Sequence, residues 1–404
     1  MTRCYRQQTV PKGIVAMTER TEPSTFHYAQ WLVSGTLFLL VGSSLLSCGC
    51  GGDGDEEKPV TATVSWEKDH ESVLEQIEEL GGVFGERSDP RKLRWAQLTL
   101  GHEWKGANQG VDILARVPSI HELELDSPHI DDGAVPRLLI ISLSALSLKR
   151  SHISNSGISQ LRRLPALHRV ELDGSAYDNS TLATLSGLNL ISLTVGPQCR
   201  VDDAGLAHLR RMDRLLYLAI CTHDVTDVGL DTIGDLRNLR ALSLAHTSVD
   251  DESLSRLSGA KSIEYLDLSA SKVSGTGLPH LHKNARLHTL ILDNTQMSDE
   301  SLHYLTQLAG LQAVSLDRTA VTDFQLPLLR QLPALATVSF EGTSVTMPGL
   351  RVLVGLPRLK TARCGNGDVC IFSASWAKLR GQDLRSVVRG RLFVWSGESP
   401  ILLE

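Results

Sequence analysis

Two hydrophobic rhythms alternate along most of this chain. The first is L-x-x-L-x-L, as in Leu239, Leu242 and Leu244, whose closing alternation suits a short strand with one buried face. About ten residues after its start comes an apolar residue, one of Val225, Val249, Val273, Met297, Val321 and Val345. A polar pair follows, such as Thr226-Asp227, Asp250-Asp251, Ser298-Asp299 or Thr322-Asp323, able to accept hydrogen bonds from the free amides that open a helix. The second rhythm is leucines three apart (Leu254 and Leu257, Leu302 and Leu305, Leu326 and Leu329, Leu350 and Leu353), one face of a short helix.

The unit recurs from Ile120, Leu143, Leu167, Leu190, Leu215, Leu239, Ile263, Leu287, Leu311 and Leu335, in steps of 23 to 25 residues. A fixed period of that size predicts a stacked array. A strand followed by a crossover helix, repeated, makes a parallel sheet along one side and helices along the other, a curved solenoid. One repeat cannot stand alone, because ordering its backbone costs roughly 1–2 kcal/mol per residue and stacking must bury what a single unit leaves open. Thr247, Thr295, Thr319 and Thr343, with Ser151, Ser175 and Ser271, recur just past the strand. A column of hydroxyls there is expected to satisfy backbone groups of neighbouring turns.

By these residues the chain resembles the leucine-rich repeat family, in a bacterial 24-residue form with threonine where many members carry asparagine. The resemblance covers roughly residues 93–362, in about ten to eleven copies. It implies an α/β horseshoe or arc with a concave parallel sheet, short convex helices, and recognition of partners, most often proteins, on the concave side. The family shares no catalytic residues, so a non-enzymatic protein without cofactor is implied. Residues 61–92 read as an N-terminal cap, with "DHESVLEQIEELGG" one amphipathic helix turning Val73, Leu74, Ile77 and Leu80 inward and ending at Gly81-Gly82. "WAQLTL" reads as a degenerate first strand. Residues 363–404 read as a C-terminal cap, with "GRLFVWSGESPILLE" a strand pair over the last open layer.

Register assigns the outward strand positions as two, four and six residues past each repeat's first residue. The last of these series ends in Asp293, Asp317 and Glu341, with Asp267 nearby on the four-position column. Strands lie about 4.8 Å apart, so these carboxylates repel one another unless a cation or basic partner intervenes. The expectation is an acidic recognition strip; the competing reading is a solvated polar surface. Tyr217 and Tyr265 share the two-position column across Ala241, Ser243 and Ala245, an amphipathic shelf for a partner or ordinary cross-strand packing.

Composition narrows the partner. Aromatics are only 5% of the chain, which suits many similar thin layers. The net charge is -6, and residues 1–47 hold four basic and two acidic side chains, leaving 36 basic against 44 acidic in the rest, a net of -8. Nucleic acid is therefore not an expected partner; a protein or envelope polymer, bound by a monomeric array, is.

The segment from Trp31 to Cys48 is apolar or small and then turns to glycine and acid. It is shorter than the about twenty residues of a spanning helix and fits the apolar core of an export signal. Leu45, Leu46, Ser47 and Cys48 resemble the lipobox of bacterial lipoproteins, which implies lipidation of Cys48, a leader over 1–47, a flexible tether over 48–60 and a membrane-anchored, extracytoplasmic body. An uncleaved anchor and a cytosolic chain are the alternatives, and a start at Met17 would leave Arg20 as the one basic residue before the apolar core. Gly49, Gly51 and Gly54 satisfy G-x-G-x-x-G, but Pro59 and β-branched residues follow instead of a helix, so no dinucleotide site is expected.

Cys199 with Cys221, and Cys364 with Cys370, are candidate disulfides in an oxidising compartment, against free buried thiols. His280, His282 and His288 fall on different sides of the repeat, so no zinc site is expected. The sequence contains no C-x-x-C, G-x-S-x-G or H-E-x-x-H. The leading expectation is an envelope-anchored interaction scaffold; the alternative is a substrate-recognition subunit resembling F-box leucine-rich repeat proteins, which needs an adaptor-binding module before the repeats.

Overall fold

In the computed structural model of the 404-residue chain, residues 65–84, 96–117, 120–372, 392–396 and 399–402 are described. The leader, Cys48 and the glycine tether lie outside them. The described strands form one open sheet of sixteen, each hydrogen-bonded to its neighbours in sequence order. From Ala96–Leu100 to Thr361–Arg363 every neighbouring pair is parallel. The register matches equivalent repeat positions: Leu242 faces Leu266, and Leu266 faces Leu290. Between strands the chain crosses through short helical segments, many of them single 3-10 turns such as Leu326–Gln331, and a few fuller, such as Asp227–Gly234. Twenty-four residues leave room for little more than one turn once a strand and two bends are made.

One hydrophobic core runs unbroken from Val73 to Phe372. At its start the helix Ser65–Glu79 buries Val73, Leu74 and Ile77, and Gly81, at φ 91°, ends it in the left-handed conformation that glycine adopts without strain. The chain then adds a strand the hydrophobic pattern did not announce, Gly82–Phe84, antiparallel to Ala96–Leu100. At the far end Val369–Phe372 runs antiparallel to Thr361–Arg363, Leu392–Ser396 runs parallel to it, and Ser399–Leu402 closes antiparallel.

Three ladders tie repeat to repeat. The first follows the strand. Arg150, His246, Ala270, Asn294, Arg318 and Gly342 all have φ between 49° and 74°, and each donates its amide to the carbonyl of the next repeat, as His246 does to Ser269 and Asn294 to Asp317. Only one of the six is glycine, so the stack holds a conformation that costs ordinary residues roughly 1–2 kcal/mol.

The second ladder uses the polar pair. Its first member caps its own helix: Asp178 accepts from the amides of Ser180 and Thr181, and Thr226 from Val228. Its second member reaches forward into the next repeat. Asp203 accepts from the amides of Thr226 and Gly229, Asp299 from Thr322, and Asp323 from Thr346. Asp251 goes furthest, taking the amides of Ser274, Gly275 and Gly277 and the Ser274 hydroxyl at 2.6–3.0 Å. The glycine before the helical leucine exists for this link: a Cβ on Gly229 would stand 2.4 Å from an Asp203 oxygen.

The third ladder corrects an expectation. The threonine column does not serve neighbouring turns. Thr247, Thr295, Thr319 and Thr343 each donate at 2.6 Å to the carbonyl three residues back, within their own repeat. Ser175 is exposed and stands outside the column, and it is Ser151 that makes a link between repeats, to the buried hydroxyl of Tyr177.

Candidate functional site

The face of the sheet opposite the helices presents three columns. The two-position column runs from Glu122 through Ala145, Arg169, Ser192, Tyr217, Ala241 and Tyr265 to Thr361, and the four-position column from Glu124 through Ser147, Glu171, Thr194, Ala219, Ser243 and Asp267 to Arg363. The six-position residues follow at the ends of the strands.

The N-terminal third of this face is a closed charge network. Lys149 lies 3.1 Å from Glu124 and 3.4 Å from Glu171, Arg169 lies 3.1 Å from Glu122, and Arg150 meets Asp126 through two bonds of 2.6 Å. Burial works against the Lys149 charge, but Glu171 and Glu124 outweigh it and hold the ammonium more firmly protonated than usual. Burial raises the Glu171 carboxyl despite the same lysine. These charges are spent on one another.

Near the middle, register and exposure part company. Tyr217 and Tyr265 hold the outward positions expected of them, yet they are only 8% and 9% exposed, so they do not form an open shelf. A ring in an outward position keeps so little surface only by lying against its column, and Ala241 between them has no bulk to prop either ring up. Asp267 is a second correction, at 2% exposed. Its carboxylate accepts from the hydroxyls of Ser243 and Ser269 and the amide of Ser269, a complete set of partners inside the sheet.

Asp293, Asp317 and Glu341 stand in a row, and hydrogen bonds fix it: the Asp317 amide donates to Asp293 Oδ1 at 3.0 Å and the Glu341 amide to Asp317 Oδ1 at 2.6 Å. Each carboxylate thus holds the end of the next strand. Glu341 is also paired with Arg363 at 2.6 Å. Burial, then the neighbouring Asp317 charge, pushes Asp293 up to about 7. Burial also raises Asp317.

A raised carboxylate has a definite effect on stability. The unfolded chain holds Asp293 near the ordinary value of about 3.9, so between that value and about 7 the folded state binds the extra proton and stability falls as pH rises through the window. Asp293→Asn keeps a carbonyl acceptor for the Asp317 amide and removes the charge. It is expected to be more stable than the parent by about 1–2 kcal/mol at pH 8, and to gain little at pH 4, in paired denaturant titrations.

The two disulfides expected from sequence are not formed: Cys199, Cys221, Cys364 and Cys370 are all free and buried. Cys199 donates its thiol to the Leu172 carbonyl at 3.5 Å, and Cys364 bonds to Asn366 Oδ1 at 2.9 Å. Cys370 faces Ala362 across the ladder, not Cys364. Burial pushes the Cys199 and Cys221 thiols up to about 11 and about 12, so neither supplies a thiolate at neutral pH. The histidines diverge as well: His282 bonds to the Pro279 carbonyl, while His288 sits beside Thr289, 3.9 Å from Glu264. Among the described residues no group of three or more His, Cys, Asp or Glu side chains could hold a metal ion.

An open parallel sheet built from stacked strand-and-turn units, with one leucine core, defines an α/β leucine-rich repeat solenoid. Similar solved structures include an internalin from Listeria monocytogenes, with 18% identity over 74% of this chain and 94% of that one and a TM-score of 0.41. Internalin C2 from the same organism matches at 20% identity over 51% and 81%, with a TM-score of 0.37. TLR13 in complex with ssRNA13 matches at 16% identity over 65% of this chain, which spans 45% of that one, with a TM-score of 0.42. No family model and no curated relative matches the sequence.

Proposed function

We propose that the chain is a binding scaffold without catalytic activity, held outside the cytoplasm by a lipid on Cys48, whose strand face recognises a protein or envelope polymer. The observation that carries this reading is the continuity of the strand face, with parallel strands in one register from Ala96–Leu100 to Thr361–Arg363. A flat target can touch residues from many repeats at once there, while the helical side is interrupted at every crossover. The export-like segment before Cys48 supports the location.

The test uses the full chain made in its own cells. A photo-reactive amino acid at Thr194 or Thr337, on the strand face, is expected to give discrete adducts, while the same group at Glu300, on the helical side, gives none. Mass analysis of the N-terminus is expected to find an acylated Cys48. Adducts from Glu300 alone, or an unmodified N-terminus at Met1 or Met17, would overturn the binding face and the anchoring respectively.

A further inference from the structure

The acidic row holds an unmet demand that no other part of the strand face shows. Asp267 is enclosed by serines and Glu341 is neutralised by Arg363. Asp293 and Asp317 have amide and serine donors, Ser315 for the first and Ser339 for the second. Among the described residues neither has an ion pair of its own. Beside them lies a different kind of group. The Tyr265 hydroxyl is buried, with the ring 9% exposed, and has no hydrogen-bond partner. Burial, reinforced by the charges of Asp267 and Asp293, raises its pKa well above the ordinary phenol value, which places the oxygen within reach of those carboxylates' field.

Two carboxylates and a phenol oxygen share one want. Their free lone pairs accept, so the complement is a donor-rich cation, an ammonium or a guanidinium. Neighbouring strands about 4.8 Å apart suit one such head group between two carboxylates. A divalent metal is a poorer fit, since hard cations take six or more oxygens and the other acids of the row are already engaged. The surplus of acid over base in the body of the chain favours the same complement.

We propose that Tyr265, Asp293 and Asp317 form a subsite on the strand face that receives one lysine or arginine side chain of a protein partner. This rests on the scaffold reading above and narrows it. A cation favours the ionised carboxylates, so affinity rises with pH as the Asp293 proton is released. The groups facing Asp293 are Tyr265 and Asp267 from the preceding strand and Ser315 and Asp317 from the following one, with Glu341 and Arg363 beyond.

The probe is a labelled octa-lysine peptide titrated into the full-length protein at low ionic strength, with octa-serine, calcium and spermine as comparisons. Affinity for octa-lysine is expected to rise roughly tenfold from pH 6 to pH 8. Tyr265→Phe and Asp293→Asn should each weaken it at least about fivefold at pH 8, while the melting temperature of Tyr265→Phe does not fall, because the hydroxyl it removes bonds to nothing. Equal affinity in parent and both variants would overturn the proposal, as would a loss of stability in Tyr265→Phe with affinity unchanged. Calcium or spermine bound as tightly as the peptide would also overturn it, assigning the site to a free cation. In any of these outcomes, strand-face adducts from Thr194 or Thr337 would leave the scaffold reading standing.

Discussion

Leu266→Ala is expected to lower the unfolding free energy by about 2–5 kcal/mol and to loosen the repeats on both sides of the substitution. Leu266 is 1% exposed and lies in register between Leu242 and Leu290. The missing side chain leaves a cavity whose walls belong to three repeats, and a solenoid transmits such a defect only to its neighbours. Denaturant titration gives the total. Hydrogen exchange gives the distribution: the amides of Ala241–Ser243 and Thr289–Ile291 should lose protection, while those of Arg169–Asp173 should keep it. Uniform loss along the chain would mean a single cooperative globule, and a cost below about 1 kcal/mol would mean that the strand leucines are not shared between layers.

The strand leucines were legible because burial repeats with a short period and each repeat is an independent reading of the same rule. Register followed from that rule, so the outward columns, Tyr217 and Tyr265 among them, could be placed from sequence. What register does not carry is exposure. Whether an outward side chain stands up or lies down depends on its neighbours in the column, which come from sequence positions about 24 residues away. Hence Asp267 reads as a surface acid and proves to be enclosed by Ser243 and Ser269, the first of them in the preceding repeat. The left-handed turn was silent for another reason. His246, Ala270, Asn294 and Arg318 share a backbone conformation and nothing in side-chain chemistry. The signal usually read for that conformation, glycine, is present only at Gly342.

The acidic row shows the same division. Its alignment was legible, and the amide-to-carboxylate bonds that enforce it were not, since they link a side chain to the backbone of the next repeat. Those bonds give Asp293 and Asp317 a structural duty in addition to any binding one. A bare count of acids therefore overstates the free charge of the face; the unpartnered Tyr265 hydroxyl marks where capacity remains. The forward-reaching aspartates, by contrast, had a readable signal. Asp203, Asp227, Asp251, Asp299 and Asp323 fall at multiples of 24 residues, and each lies 26 residues before a small or polar residue: Gly229, Ser253, Gly277, Gln325 and Gly349. Paired periodicities of that kind report contact between layers.

The strongest of these links is the one at Asp251, and Asp251→Ala is expected to cost about 2–4 kcal/mol, more than an exposed aspartate can. Burial alone would raise its carboxyl, but the Ser274 hydroxyl and the amides of Gly277, Ser274 and Gly275 outweigh burial and hold it below the usual range. A depressed carboxyl gives stability that is present above its unfolded value of about 3.9 and lost as pH falls through the folded one. The difference between parent and variant should therefore be full at neutral pH and shrink on acidification below about pH 4. Asp251→Asn separates charge from shape: its amide nitrogen cannot accept, so part of the donor set is stranded and an intermediate loss is expected. The glycine it binds offers an independent reading of the same joint. A Cβ on Gly277 would lie 2.2 Å from the Asp251 carbonyl oxygen and 2.7 Å from its Cα, backbone that cannot yield without opening the two repeats. Gly277→Ala combined with Asp251→Ala should thus lose less than the two single losses added together, because the second change strikes a joint the first has already opened. Strict additivity would show that the aspartate and the glycine act on separate parts of the stack.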